Sequence, residues 1–242
     1  MSYFMSAILG FVQGVAEFLP ISSSGHLTLF QYFFGMEEPD QLFNILLHFA
    51  TLLAVFVVYW RDIWDMIVEF FRFFGDLFSR RPRRGRPPEA RRMVLLIIVG
   101  TLPLFLVLPV QELVEGLYDN TYFVGGALLV TGALLFGCDR VRRGRKNEKT
   151  ATVLDAALVG VGQAIATCPG ISRSRTTICV GCFRGLERRF AVRFAFLLSI
   201  PAVLGANLLQ IKDVAEAGGI DVKLLPIYIA GVAVAAVSGY LS

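Results

Sequence analysis

The chain has 242 residues, of which 55% are hydrophobic and 17% are charged, and it carries a formal net charge of +4. A soluble domain of this size would show helices with a polar face or strands of alternating polarity, whereas long runs of this chain are apolar all round. The composition therefore excludes a soluble globular enzyme and predicts an all-α integral membrane protein.

Five apolar runs predict membrane-spanning helices. In chain order they are 41–60, 93–111, 121–138, 190–211 and 224–242. Each has about 18 to 22 residues, the length that a helix needs to cross roughly 30 Å of hydrocarbon. We therefore expect about five or six transmembrane helices in a single transmembrane domain that covers 1–242. The first segment has neither a basic start nor a small-residue cleavage site, so we expect no cleavable signal peptide.

The loops between these runs predict the orientation of the chain. Basic residues cluster at 78–92, 139–149 and 184–193. Neutral to acidic loops lie at 36–41, 111–120 and 212–223. Because basic loops stay on the cytoplasmic side, the first set faces in and the second faces out. The basic loops alternate with spans, so their charge indicates topology, with membrane lipids as partners and no nucleic acid.

Two segments are predicted to enter and leave the membrane on the same face. The segment 153–183 lies between two cytoplasmic loops and is too short for two crossings, which would need about 40 residues. Its centre, CPGISRSRTT, is rich in helix breakers and hydroxyls. The segment 3–35 is interrupted at Pro20, which removes a backbone donor and clashes with the preceding turn. Both segments are therefore predicted to be re-entrant helical hairpins.

An internal match relates the two hairpins. With an offset of 150 residues, 7–24 aligns with 157–174 and gives seven identical pairs: Ala7/Ala157, Gly10/Gly160, Gln13/Gln163, Ala16/Ala166, Ile21/Ile171, Ser22/Ser172 and Ser24/Ser174. By the charge argument the two copies have opposite orientation. We therefore predict an inverted repeat, with repeat 1 at about 3–60 and repeat 2 at about 153–242, and a site where the two broken helices meet.

The two hairpin tips carry complementary chemistry. The first supplies Glu17, Ser23 and His26, and the second supplies Arg173. Ionisable groups at mid-membrane cost about 2.5–3.5 kcal/mol each on insertion scales, so they are candidates for function. Guanidinium suits phosphate oxygens, and a hydroxyl beside an imidazole and a carboxylate is the set that activates a nucleophile. These four residues predict a catalytic site for phosphoryl chemistry on a lipid.

Other polar residues near the tips are predicted to bind substrate. They are Gln13, Ser22, Ser24, Ser172, Ser174, Arg175 and Thr176. For Ser22 and Ser24 a hydrogen bond to the preceding helical turn is an equal alternative, and Gln13 fits cavity lining or packing. We interpret His48, alone on an apolar helix, as a core histidine. The small residues of GGALLVTG (125–132) predict close helix packing.

The stretches QGVAEFLPISSSGHL (13–27) and PGISRSRTT (169–177) resemble the two signature motifs of the undecaprenyl-diphosphate phosphatase family, the bacitracin-resistance type. That resemblance runs along essentially the whole chain. It implies hydrolysis of a polyprenyl (undecaprenyl) diphosphate to the monophosphate and inorganic phosphate. The product would be the lipid carrier that cell-wall synthesis recycles, and the activity would confer bacitracin resistance.

The resemblance also implies roles for the site residues. Arg173 would hold the diphosphate, and Ser23 would be the nucleophile with His26 and Glu17 moving protons. His26 as the nucleophile is the alternative. A divalent cation, Mg²⁺ or Ca²⁺, would lie between the diphosphate and Glu17. Arg175 departs from the family pattern, which usually has glycine there, and family members usually continue for about one more segment after SGYLS.

Two other functions share parts of this pattern. The type 2 phosphatidic-acid phosphatases also carry Ser-Gly-His, but they need a second histidine after their Ser-Arg element, and none follows Arg173. A lipid-phosphate flippase or an anion transporter would also suit inverted hairpins around a central cavity, and it stays the alternative. We expect the cavity to open to the outer (periplasmic) side, and a second copy of the chain, forming a homodimer, is a candidate partner.

Overall fold

The computed structural model describes residues 1–19, 21–35, 41–78, 89–118, 120–216 and 224–242. The helices of the first part of the chain are α1 Tyr3–Phe18, α2 Ser23–Phe33, α3 Gln41–Val58, α4 Trp60–Phe78 and α5 Glu89–Thr101. Two short 3-10 turns, Leu102–Leu106 and Leu108–Val110, extend α5 to α6 Gln111–Gly116. The remaining helices are α7 Thr121–Asp139, α8 Val153–Ile165, α9 Arg173–Phe183, α10 Arg188–Glu216 and α11 Leu225–Leu241.

The apolar runs of the sequence form the long helices, and the predicted all-α membrane fold is confirmed. Among the described residues, Glu89–Val114, Thr121–Asp139 and Arg188–Ile211 are long and apolar enough to cross a membrane. A fourth span results if Leu42–Val58 and Trp60–Phe73, which meet at an angle of 84°, are counted together. By this measure the count is lower than the predicted five or six. The reason is that the run 41–60 bends at its end and that α11 has 17 residues.

Two helix–break–helix pairs, α1 with α2 and α8 with α9, lie within the predicted hairpins 3–35 and 153–183. Each second helix begins after a serine whose hydroxyl accepts a hydrogen bond from a first-turn backbone N–H. These serines are Ser22, bonded to Gly25 N, and Ser172, bonded to Arg175 N. Such a cap satisfies a donor that the helix leaves unpaired. The two caps stand 150 residues apart, as in the internal match, while the limits of the two repeats stay predictions.

Each hairpin packs through a glycine against a helix that lies far away in the sequence. A Cβ atom on Gly10 of α1 would collide with the backbone carbonyl of Gly231 in α11. A Cβ atom on Gly160 of α8, the repeat partner of Gly10, would collide with that of Gly100 in α5. Close approach of backbones at small residues is a common way for helices to associate in membranes. The matched glycines thus fix both hairpins in the bundle.

The prediction that small residues of α7 mediate close packing is wrong for its glycines. A Cβ atom built on Gly125, Gly126 or Gly132 has no neighbour within 4 Å. The buried positions of α7 are instead Val124, Ala127, Thr131 and Cys138. The glycines therefore lie on the side of α7 that contacts no other described part of the chain.

The buried carboxylate of Asp155 forms ion pairs that connect the second hairpin to the basic loops. Asp155 forms a capping box with Thr152 at the start of α8. Its fully buried carboxylate also accepts hydrogen bonds from Lys146 Nζ at 2.8 Å and from Arg184 Nε at 2.9 Å. One carboxylate thus joins the loops predicted at 139–149 and 184–193, and it holds both ends of the α8–α9 hairpin together.

We predict that Gly10→Val lowers the free energy of unfolding by about 1–3 kcal/mol or more, because the added side chain meets backbone that cannot rotate away. Gly126→Val is the matched control. It has open space around it, so the same change should cost less than about 1 kcal/mol apart from helix propensity. Denaturant titration of the purified proteins in detergent measures both. Equal losses for the two variants would contradict the packing described here.

Candidate active site

The first hairpin bends sharply at Ser22. This residue has φ 62° and ψ 101°. Every other residue with a positive φ in the described ranges is a glycine. A side chain in this region of backbone space costs of order 1–3 kcal/mol, and such strain concentrates at functional sites. The bend ends α1 one residue after Glu17 and begins α2 at Ser23. Pro20, the predicted breaker, lies outside the described residues.

The second hairpin bends at a glycine and is stabilised by a side chain from α7. Gly170 has φ 86°, which favours glycine. Thr131 donates its hydroxyl to the Gly170 carbonyl at 3.0 Å and accepts from the Ser172 backbone N–H at 3.1 Å. One hydroxyl therefore satisfies two backbone groups that the helix break leaves unpaired. Thr131 was not predicted, because a single threonine in an apolar helix gives no signal in the sequence.

The two hairpins meet at Glu17. Arg173 Nη2 donates to Glu17 Oε1 at 2.9 Å, and Ser23 Oγ donates to Glu17 Oε2 at 2.5 Å. Gln13 Nε2 donates to the same Oε2 at 3.1 Å. The side chains of Glu17 and Arg173 are only 14% and 23% exposed. The predicted carboxylate, hydroxyl and guanidinium thus form one hydrogen-bonded group across the two halves of the chain.

Further contacts hold the two tips together. Arg175 Nη2 donates to the Phe18 carbonyl at 2.7 Å, and Ser174 Oγ donates to the Glu17 carbonyl at 3.4 Å. Both acceptors are at the end of α1, where the helix leaves its last carbonyls without helical partners. The second hairpin therefore caps the first helix of the other hairpin. Arg175, the departure from the family pattern, takes part in this contact.

A cavity of about 600 Å³ opens beside Glu17. Its polar end is lined by Glu17, Ser22, Ser23, Ser24, Ser172, Arg173 and Ser174. Its other walls are mainly apolar and include Leu104, Phe105, Leu108, Val114, Val203 and Leu208. A polar end with a cationic side chain and a long apolar wall fits an anionic head group that carries a hydrocarbon chain.

Four of the predicted site residues do not line this cavity. Gln13 is 0% exposed and supports Glu17 from within the helix bundle. Arg175 is turned toward Phe18, and Thr176 is buried in α9. His26 is half-buried, and its Nδ1 bonds to the Ser22 carbonyl at 2.8 Å. Gln13, Arg175 and Thr176 thus lie outside the cavity lining, and their predicted contact with substrate stays a prediction.

Two residues that sequence reasoning missed do line the cavity. His48 of α3, interpreted above as a core histidine, lies on its wall within electrostatic range of Glu17. Asn207 of α10 lies on the wall as well. Their positions in apolar helices gave no signal, because a lone polar residue fits a packed core as well as a cavity.

Glu17 is the one described carboxylate that lines the cavity and could bind a divalent cation. Among the described residues no group of three or more His, Cys, Asp or Glu side chains could hold a metal ion. Mg²⁺ often binds one or two carboxylates together with substrate phosphates and water. Glu17 at the polar end of the cavity fits that pattern, but only when a diphosphate supplies the remaining oxygen ligands.

The comparisons with known proteins agree on one family. Residues 6–242 match the family model described as Bacitracin resistance protein BacA. The chain is 43% identical over 241 residues to the undecaprenyl-diphosphatase of Alkaliphilus metalliredigens, which covers 99% of this chain and 87% of the relative. It is 43% identical over 242 residues to the undecaprenyl-diphosphatase of Methanosphaera stadtmanae, covering 97% and 85%. For the undecaprenyl-diphosphatase of Carboxydothermus hydrogenoformans, the identity is 41% over 247 residues, covering 100% and 86%.

We predict that the glycine variant exceeds the alanine variant in stability by more at position 22 than at position 172. Replacing either serine by alanine removes a helix cap, which costs about 0.5–2 kcal/mol. Glycine also removes the cap, but it relieves the positive φ at position 22, whereas Ser172 has φ −69° and no such strain. The stability difference between the Gly and Ala variants should be larger by about 1 kcal/mol at position 22. Denaturant titration of the four variants measures this, and equal differences at both positions would show that Ser22 is unstrained.

Proposed function

The chain belongs to the family described as Bacitracin resistance protein BacA, and we propose that Glu17, Ser23 and Arg173 form the catalytic centre of its reaction. The protein is a multi-pass membrane enzyme that hydrolyses undecaprenyl diphosphate to undecaprenyl phosphate and inorganic phosphate. The reaction regenerates the lipid carrier used in peptidoglycan synthesis and fits the resistance to bacitracin in the family's name.

The observation that carries the proposed roles is the hydrogen bond from Ser23 to Glu17. A nucleophile and its base within hydrogen-bond distance are the arrangement that activates a hydroxyl. In the proposed first step, the Ser23 proton passes to Glu17 Oε2 while Oγ attacks the terminal phosphorus. The bond from that phosphorus to the bridging oxygen breaks, and undecaprenyl phosphate leaves. Transport requires no nucleophile, so this contact favours hydrolysis over the flippase alternative.

Arg173 is proposed to bind the phosphate that is transferred. Its Nη2 pairs with Glu17, while its buried Nε–H has no hydrogen-bond partner among the described residues. An unpaired buried donor of a charged group costs about 1–3 kcal/mol or more, and a phosphate oxygen would relieve that cost. Arg173 also begins α9, where first-turn backbone N–H groups favour an anion. The guanidinium therefore has the charge and the open donor that a diphosphate needs.

The apolar part of the cavity is proposed to hold the start of the prenyl chain. Its lining comes from the 3-10 turns after α5 and from the second half of α10. Burying each CH₂ group there contributes about 0.8 kcal/mol. This anchoring would place the diphosphate at the polar end. His26 as a proton carrier and the predicted homodimer stay predictions.

A divalent cation, Mg²⁺ or Ca²⁺, is proposed to bind with the substrate at Glu17. It would neutralise charge on the diphosphate. Glu17 has two oxygens for three donors and a cation, so cation binding would have to compete with Arg173 or Ser23 for them. Because both Glu17 oxygens already accept hydrogen bonds, we propose that the cation binds together with the diphosphate and not before it.

The cavity is proposed to open to the outer side of the cell membrane. Its walls include Gln111, Val114 and Tyr118 from the loop predicted to face out, and Gln210 near the next such loop. No described residue of the three basic loops lines it. The charge of the loops and the lining of the cavity therefore favour the same orientation.

We predict that Arg173→Ala and Ser23→Ala each lower phosphate release from undecaprenyl diphosphate at least about 100-fold, the usual loss when a preorganised charge is removed. Arg140→Ala, in a basic loop, is the matched control and should keep wild-type turnover. The assay measures phosphate release by purified protein in detergent, with and without a chelator. If the proposed cation takes part, the chelator stops phosphate release, and added Mg²⁺ or Ca²⁺ restores it. Full turnover by either active-site variant would contradict the assigned roles.

A second prediction concerns orientation. With the native cysteines replaced, Ser24→Cys should react with a membrane-impermeant thiol reagent added to the outside of intact cells, because Ser24 lines the cavity. Asn147→Cys, in a loop predicted to be cytoplasmic, should react only after the membrane is opened. Labelling of position 24 from the cytoplasmic side alone would reverse the proposed orientation.

A further inference from the structure

Besides Gln210 near its outer end, the wall formed by α3 and α10 carries two polar side chains that the proposed roles leave unused. His48 of α3 and Asn207 of α10 line the same cavity as Glu17, Ser23 and Arg173. The remaining wall of α10 at this level is apolar, with Val203, Ala206 and Leu208. Two polar groups in such surroundings need a partner, and the cavity is where that partner would be found.

The tautomer of His48 follows from its backbone contact. Its Nδ1 lies 2.8 Å from the Asn44 carbonyl oxygen. A carbonyl only accepts hydrogen bonds, so Nδ1 carries the hydrogen, and Nε2 of the neutral ring is an acceptor. Among the described residues Nε2 has no hydrogen-bond partner. The hydrogen bond to Asn44 fixes the ring on the cavity wall and leaves Nε2 as the basic nitrogen.

Asn207 presents the opposite hydrogen-bonding character. The residue is 3% exposed, and its Nδ2 has no hydrogen-bond partner in the part of the chain that the structure describes. Leaving such a donor unsatisfied costs about 1–3 kcal/mol. The register of the two helices indicates that Asn207 lies at the level of His48. Tyr59, the residue after α3, contacts Phe196 of α10 with a distance of 6.0 Å between ring centroids. His48 precedes Tyr59 by eleven residues, and Asn207 follows Phe196 by eleven. In neighbouring antiparallel helices this places the pair at about the same level.

We propose that His48 and Asn207 hold and activate the water that hydrolyses phosphorylated Ser23. A bound water needs two to four polar partners, and one donor beside one acceptor is the minimum that fixes its direction. Asn207 Nδ2 donates to the water oxygen, and the water donates to His48 Nε2. This inference rests on the proposed nucleophile, since without a phosphoserine there is no second step.

The step balances as follows. The water oxygen attacks the phosphorus on Ser23, and its proton passes to His48 Nε2. The bond between phosphorus and Ser23 Oγ breaks, and Oγ takes back the proton that Glu17 received in the first step. Inorganic phosphate leaves, and the His48 imidazolium returns its proton to the phosphate or to solvent. His48 is thus a catalytic residue for the second half of the reaction alone, and Asn207 acts with it on the same water.

The test separates the two halves of the reaction by rapid quench. Full-length protein in detergent is mixed with undecaprenyl diphosphate labelled with ³²P in the terminal phosphate. Three products are followed: undecaprenyl phosphate, free phosphate, and label attached to the protein. The variants are His48→Gln and Asn207→Leu. Ser199→Ala is the matched control, because Ser199 also lies in α10 but does not line the cavity, and its hydroxyl donates to the Phe196 carbonyl.

In His48→Gln we expect a first burst of undecaprenyl phosphate at the wild-type rate, followed by phosphate release that is at least about 100-fold slower, the usual contribution of a general base. Label should accumulate on Ser23. Asn207→Leu should show the same pattern with a loss of about tenfold, as for one hydrogen bond. Ser199→Ala should behave as wild type. The intact burst shows that a variant is folded and binds substrate.

Four results would overturn the inference. Wild-type turnover by His48→Gln would show that the water is activated elsewhere. A lost burst in His48→Gln and Asn207→Leu, with Ser199→Ala unaffected, would place the pair in substrate binding or in the first step. If wild type forms label on Ser23 but His48→Gln does not accumulate more, this inference alone is wrong. If Ser23→Ala still turns over and no variant carries label, the proposed nucleophile is wrong as well.

Discussion

The ion pair between Glu17 and Arg173 is the interaction on which this structure depends. Each charge comes from a different half of the chain, and each would be costly in hydrocarbon, by about 2.5–3.5 kcal/mol on insertion scales. Interrupted helices also expose backbone groups that lipid cannot satisfy, so such breaks occur only where protein or a wet cavity covers them. Here each tip covers the other: Arg173 bonds to Glu17, and Arg175 bonds to the last turn of α1. The pair of hairpins is thereby acceptable in a membrane, whereas one hairpin alone would leave its polar tip uncovered.

The same arrangement supports the proposed chemistry of the site. Glu17 accepts from Arg173 on one oxygen and from Ser23 on the other, so the residue that joins the halves also orients the proposed nucleophile. Not every polar group around the site is hydrogen-bonded, however, because the Arg173 Nε–H and the Asn207 Nδ2 lack partners within the described ranges. Buried polar groups in folded proteins are nearly always bonded, and exceptions concentrate where a ligand binds. A diphosphate and a water are the groups that would complete these contacts.

Much of this could be predicted from the sequence, for physical reasons that differ between elements. The spans follow from length and hydropathy, and the meeting of Glu17, Ser23 and Arg173 follows from charge and from the match between the two tips. Other features depend on tertiary contacts that no local pattern encodes. The 84° bend after α3, the positive φ of Ser22 and the support of the second break by Thr131 are of this kind. His48 was assigned to the core because one side of an apolar helix cannot be distinguished from another until its neighbours are placed.

The most direct test of the central claim is a double-mutant cycle between Glu17→Gln and Arg173→Met, read as the free energy of unfolding in detergent. Each single change leaves a buried charge without its partner, so the double variant should lose less than the two single variants added together. We predict a coupling energy of about 1–3 kcal/mol, as for residues in direct contact. Additive losses, within about 0.5 kcal/mol, would show that the two tips do not meet and would contradict the site described here.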